Sequence, residues 1–275
     1  MTEFLYDARL ADMAFELEFT SKGVQLILSG FSDKLAPFTE KVFQALKTYE
    51  PDAATFNRFK DLLEREFKGW KSQQPYYHCS YYATLASETL QFDIKDVTET
   101  LAKTTQKDLK DFLSKMLTSS HGTAIVIGNV DEKGSHDIVN IIEKTFPFTP
   151  LDANLRSRRR PVEIPVSPLS LAALPPSDVG TSVIPSGLRI ARAGPNVEDE
   201  NSATTFYFQL PTREISEYIL LELLAESIEQ AFYNSLRTQQ QLGYIVYSGV
   251  RSREGIYSLT MTVQSALVEG AELSR

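Results

Sequence analysis

The sequence predicts an α+β fold of two similar units in tandem, each incomplete, in which antiparallel sheet packs against helices. Three observations carry this. AFELEFT (Ala14–Thr20) alternates strictly and leads through a glycine turn into VQLILSG, and YIVYSGV and IYSLTMTV flank a second glycine turn, the pattern of paired strands. Several segments between them repeat apolar residues every three or four positions, the period of a helix with one buried face. The two stretches also share a layout: Gly23 follows Leu10 by 13 residues, Gly255 follows Leu242 by 13, and both pairs lie 232 residues apart. A constant offset between supersecondary pieces is the sign of a duplicated unit, with chance similarity of two hairpins as the alternative. On that register Met1 falls inside a helix, and the first unit lacks what Ala203–Phe232 represent in the second. The second unit stops soon after its hairpin.

Taken in order, AFELEFT (Ala14–Thr20), the turn SKG and VQLILSG predict a hairpin. Asp33 is placed to cap a helix whose apolar positions are Leu35, Phe38, Val42, Phe43 and Leu46. Phe56, Phe59, Leu62, Leu63, Phe67 and Trp70 predict a longer one, and Pro75 suits the first turn of the next, which carries Tyr76, Tyr77, His78, Tyr81 and Tyr82. Lys107–Leu117 is predicted helical, Gly122–Val130 (GTAIVIGNV) a buried strand and Asp131–Thr145 a closing helix. All 14 lysines occur at or before Lys144, and seven of the 13 prolines fall between Pro147 and Pro176. This compositional break predicts domains at 1–148 and 177–275 joined by a Pro-rich linker at 149–176. Beyond it, Ala203–Leu210 is predicted as a strand, Ser216–Leu236 as a long helix, and YIVYSGV with IYSLTMTV as a second hairpin across RSREG.

Composition narrows the function classes. A formal charge of -8 and a pI near 5.1 argue against a nucleic-acid binder, because phosphate affinity needs clustered cations. The run Arg156, Arg158, Arg159, Arg160 lies beside Pro161 and Pro165 and reads as exposed linker. No stretch approaches 18 consecutive apolar residues, and acidic residues open the chain, which predicts a soluble, cytoplasmic protein without a membrane partner. The single Cys79 cannot form an internal disulfide and reads as a small buried hydrophobe.

No self-contained active site is visible. His78, His121 and His136 are followed by CSYY, GTAI and DIVN, so none has a zinc-ligand partner at helical spacing. A nucleophile elbow, a phosphate loop, a dinucleotide fingerprint and a Cys-x-x-Cys are all missing. What remains is LRTQQQLGYIVYSG (Leu236–Gly249), which places Arg237 and Tyr244 seven residues apart across a helix-to-strand junction. Arg237 can cap free carbonyls at the helix end, and Tyr244 can be a half-buried aromatic with a wet hydroxyl. Alternatively, a guanidinium fork can hold peptide carbonyls while a phenol donates to a developing oxyanion.

At these residues the chain resembles the pitrilysin family of inverted-motif zinc metallopeptidases. The resemblance lies in Asn234–Ser265 of the later unit and in Tyr6–Leu35 and Glu64–Leu85 of the earlier one, and the R-T-x-x-Q-L-G-Y run is its most specific part. It implies pitrilysin-type α+β units, most of the third and the beginning of the fourth, from the C-terminal half of an enzyme that closes around peptide. It also implies that Arg237 and Tyr244 contact the substrate carbonyl and oxyanion. Zinc belongs to the parent enzyme, with no metal held by this chain: Glu226, in the segment matching the motif helix, has no histidine partners.

The partners so implied are peptide substrates and the zinc-bearing N-terminal half of the same protein, and this chain alone is expected to be inactive. A non-catalytic scaffold subunit is the alternative. Ala203–Leu236 is expected to pack on the first unit's remaining sheet, within one chain or between two in a homo-oligomer, because exposed sheet edges invite association.

Overall fold

The computed structural model describes residues 6, 8–20, 23–89, 91–116, 118–156, 162, 181–184, 187–210, 214–253 and 255–273. The chain divides into two compact units, Met1–Leu62 with Glu99–Arg158, and Leu63–Thr98 with Arg159–Arg275. The fold is mixed α and β with antiparallel pairing in its principal sheets.

The first unit opens with β1 (Ala14–Thr20) and β2 (Gly23–Ser29), a two-stranded hairpin in full register from Ala14↔Ser29 to Thr20↔Gly23. Gly23 closes it at φ 130°, a conformation only glycine adopts without strain. Phe15, Leu26 and Leu28 pack on Phe38 and Val42 of α1 (Ser32–Lys47), with Ala8 and Met13 completing the cluster. Phe31 is the N-cap residue of α1 and Asp33 lies inside the first turn, so the expected Asp33 cap is corrected: it sits two residues past the capping position, where its carboxylate favours the helix dipole without capping. Along the chain follow helices α2 (Ala53–Trp70), α3 (Pro75–Ser87), α4 (Ile94–Lys103) and α5 (Gln106–Met116), of which α3 belongs to the second unit and α5 to the first. In the first unit Lys60 Nζ donates to the carbonyls of Ala102 and Thr104 at 2.9 and 2.8 Å, a cationic cap on the end of α4.

The predicted strand Gly122–Val130 does not form. Only β3 (Ser119–Ser120) pairs, in parallel with β4 (Thr149–Pro150). A strand exists through its neighbour's hydrogen bonds, and no described strand lies beside 122–130. Ile125 and Ile127 stay 78% and 87% exposed. The following helix α6 (Glu132–Thr145) starts where expected, with the Asp131 carboxylate accepting from Gly134 N–H at 2.7 Å. Most of the expected linker, including Arg158–Arg160, lies outside the described residues.

The second unit holds a small hairpin, β5 (Thr181–Ile184) and β6 (Gly187–Ile190), and a three-stranded antiparallel sheet. Its order is β7 (Ser202–Gln209), β9 (Ile256–Ser265), β8 (Ile245–Arg253). Gly255 turns the β8–β9 hairpin at φ 82°, matching the role of Gly23 at the predicted offset. Among the described residues β7 pairs with β9 over its whole length and β1–β2 is a sheet of two strands, so within one chain Ser202–Gln209 joins the sheet of its own unit and does not extend the first sheet as expected. Pairing between neighbours in the same unit closes a shorter loop and therefore costs less chain entropy.

Helix α7 (Ile215–Tyr233) covers one face of this sheet, with Leu221 and Ala225 against Leu259, Val250 and Met261. Its other side leaves Ile219, Leu220, Leu223 and Leu224 exposed. Helix α3 covers the opposite face, which presents Ser258, Thr262 and Gln264, all at most 1% exposed. A polar sheet face buried beneath a helix requires hydrogen bonds to offset desolvation. Thr205 and Thr262 hydroxyls meet at 3.0 Å, and the Cys79 thiol donates to Ala203 O at 3.3 Å.

Candidate functional site

The region between α7 and β8 begins with a change of helical pitch. After Tyr233 the chain widens into a π-helix, Asn234–Gln239, with Gln240 N–H donating five residues back to Ser235 O at 2.9 Å. Such widenings concentrate at functional sites because they redirect side chains out of the regular ladder. Gln241 follows at φ 52°, which costs an L residue about 1–2 kcal/mol, and Leu242 N–H then reaches Leu236 O at 2.9 Å. This reversal brings the start of β8 back alongside Arg237.

Both sequence-predicted site residues border the same cleft, of about 600 Å³, with Tyr233, Gly243, Ser265 and Leu267 among its other walls. Arg237 is exposed and donates from Nη1 to Gly243 O at 3.1 Å. That bond occupies part of the guanidinium fork. A guanidinium carries five N–H groups, and the rest can bind further acceptors. Tyr244 is 41% exposed, and its N–H donates to Gln264 O at 3.1 Å. Gly243 between them is required by space: a Cβ there would lie 2.5 Å from Gln264 O.

The Tyr244 hydroxyl sits in a polar network that no sequence pattern announced. It donates to Asn201 Oδ1 at 3.2 Å and accepts from Gln264 Nε2. Asn201 is oriented by its own Nδ2, which donates to Asp199 at 2.6 Å. Gln264 Oε1 accepts Tyr76 N–H at 2.9 Å, one of the donors left free at the start of α3, and Nε2 also reaches Gln74 Oε1 at 3.3 Å. The Tyr76 phenol is pushed up to about 12, first by its hydrogen bond with Tyr77, so it stays neutral at ordinary pH.

A second polar cluster anchors the other end of the sheet. Glu88, 8% exposed, meets Arg251 at 3.4 Å and Arg253 at 3.7 Å, and Arg251 donates to Thr84 Oγ1 at 2.7 Å. These residues were invisible to spacing because their partners lie more than 160 positions apart.

Among the described residues no three His, Cys, Asp or Glu side chains converge. His78 is buried edge-on against Trp70 at 4.4 Å between ring centroids, His121 lies beside Arg156, and exposed His136 lies 4.0 Å from Glu132. Glu226 is exposed on α7. This donor set does not fit a zinc site. Burial pushes the His78 imidazole below its ordinary value and the Cys79 thiol up to about 11. No described helix is long and apolar enough to cross a membrane.

Comparison with known proteins places these features in context. Residues 1–100 match the family model described as the middle or third domain of peptidase M16, and residues 103–273 match the peptidase M16 inactive domain. The chain is 28% identical over 269 residues to the insulin-degrading enzyme of Homo sapiens, covering 96% of this chain and 24% of that protein. It is 25% identical over 271 residues to the peroxisomal insulin-degrading enzyme-like 1 of Arabidopsis thaliana, covering 97% and 26%. The crystal structure of pitrilysin superposes with a TM-score of 0.71 at 17% identity, over 96% of this chain and 26% of that one. The chain thus spans about a quarter of the length of these relatives.

Proposed function

From the premise that this chain belongs to the M16 peptidase family, as a part from its C-terminal side, we propose that it is the substrate-binding portion of a zinc metalloendopeptidase. The observation that carries the reading is the placement of Arg237 and Tyr244 on one cleft, both exposed and both anchored to a rigid junction. Arg237 offers its remaining donors to main-chain carbonyls of a peptide. Tyr244 offers a phenolic hydrogen to a carbonyl oxygen as that oxygen gains charge. Zinc chemistry, and the activation of water that goes with it, is assigned to the rest of the parent protein, in a zinc-bearing half that closes a chamber with this one.

Two further features support a chain that works within something larger: the exposed apolar side of α7, and the unpaired apolar run at Ile125 and Ile127. Self-association would cover the same surfaces, and sedimentation distinguishes the two. The cytoplasm is the proposed compartment. The competing reading is a non-catalytic scaffold subunit, favoured by the fact that Arg237 and Tyr244 already have partners within this chain.

A fluorogenic peptide assay tests the proposal, using this chain alone and then mixed with a separately made zinc-bearing half. Activity is expected only in the mixture and should vanish with chelator. In the full-length protein, Tyr244→Phe should lower kcat about a hundredfold, equivalent to about 3 kcal/mol. Unchanged kcat would support the scaffold reading.

A further inference from the structure

We propose that Gln264 is a positioning residue for Tyr244: it holds the phenol oxygen by donating to it, leaving the phenol hydrogen to pass from Asn201 to a peptide carbonyl. The inference rests on Tyr244 being the substrate donor.

Gln264 has no exposed surface and lies on β9, the middle strand of its sheet. A buried primary amide is costly unless each of its groups is used, and here both ends are. The amide's orientation follows from its partners. Tyr76 N–H can only donate, so Oε1 must face it, at 2.9 Å, and Nε2 is thereby turned toward Tyr244. Asn201 is fixed by the same logic: Nδ2 donates to Asp199 at 2.6 Å, so Oδ1 faces the phenol and takes its hydrogen at 3.2 Å.

The two contacts on the hydroxyl therefore differ in kind. Gln264 occupies a lone pair and leaves the hydrogen free to be redirected, whereas Asn201 holds the hydrogen itself. A peptide carbonyl approaching the exposed phenol can exchange with Asn201 while Gln264 keeps the oxygen in place. A donor to the phenol oxygen also polarises the O–H bond, which strengthens its donation onward. Because the same amide ties down the first turn of α3, the donor is referenced to both a central strand and a helix start, the kind of support a site needs to stay within half an ångström.

Two variants of the full-length peptidase test this. Gln264→Met keeps the length of the side chain without a donor, and Gln264→Asn keeps a neutral amide but withdraws it from the phenol by one methylene, which guards against failure of the first to fold. Each is expected to lower kcat about tenfold with KM unchanged, the scale of effect that misplacement of a reacting group produces. In a Tyr244→Phe background, Gln264→Met should change kcat by less than about twofold, because the amide acts through the phenol. Losses that multiply in the double variant would overturn the proposal. In this chain by itself, 3-fluorotyrosine at position 244 supplies a readout without activity: its fluorine resonance should move on Gln264→Met while far-UV circular dichroism stays constant. An unmoved resonance would also overturn it. If Tyr244→Phe alone leaves kcat unchanged while the resonance moves, the substrate-donor reading fails and the Gln264 contact stands.

Discussion

Replacing Gly243 by alanine should damage the site through space alone. Its φ is not in the left-handed region, so the added methyl group brings no backbone strain of its own. The new Cβ would lie 2.5 Å from Gln264 O and 2.9 Å from Val263 Cγ1, where ordinary contact begins at 3.4 Å. The carbonyl would have to retreat by roughly 0.9 Å, the difference between those two distances. It cannot do so freely, since it belongs to the central strand and accepts Tyr244 N–H at 3.1 Å. Overpacking of this kind costs about 1–3 kcal/mol, or roughly 2–12 °C in Tm for a domain of this size. Gly249→Ala on β8 is the control, because its Cβ would meet nothing within 4 Å. Alanine there should be neutral or stabilising by up to about 1 kcal/mol, since glycine in a strand loses more chain entropy. Differential scanning calorimetry of both variants decides the matter: equal Tm values would refute the claim that the backbone approach at Gly243 dictates its residue type.

Other expectations concern stability and reactivity. Arg251→Met should destabilise by about 3 kcal/mol in urea titration, because it strips the nearer cation from buried Glu88. Asp131→Ala should cost about 1 kcal/mol by removing the N-cap acceptor of Gly134 N–H. His78 titrates below its ordinary 6.5 because of burial, so the unfolded chain takes up the proton first. Stability should therefore fall as pH drops below about 6.5, by at most about 1.4 kcal/mol per pH unit for one proton, and His78→Phe should flatten the slope measured between pH 5.5 and 7. The Cys79 thiol, raised from 9.0 to about 11 by burial, should react with a disulfide reagent at neutral pH about tenfold more slowly than a thiol at 9.0, the loss of thiolate being partly offset by its greater nucleophilicity, and at the ordinary rate in denaturant.

Much of the fold was legible because its signals are local. The alternation in Ala14–Thr20 needs only the pleat of a strand, and Gly23 and Gly255 mark turns whose φ excludes a side chain. Pro75 sits where its missing N–H costs nothing, at the start of α3. Gly122–Val130 was misread for the complementary reason: its apolar run carries strand character, but pairing depends on a neighbour that periodicity cannot supply.

The sequence by itself determined most of the helices, the duplicated hairpin and the family resemblance, and it set Arg237 and Tyr244 seven residues apart across one junction; the widened turn and the reversal at Gln241 decided that both border one cleft. Tertiary structure alone decided that the polar stripe Ser258, Thr262, Gln264 lies in the interior, beneath α3, where alternation would have put it in water. The amide that grips Tyr244 and the carboxylate that gathers Arg251 and Arg253 both follow from that burial. Side-chain type states what a residue can donate or accept. Whether water or protein meets that demand is set by which helix lands on the sheet, and that depends on hydrogen bonds between residues more than 100 positions apart.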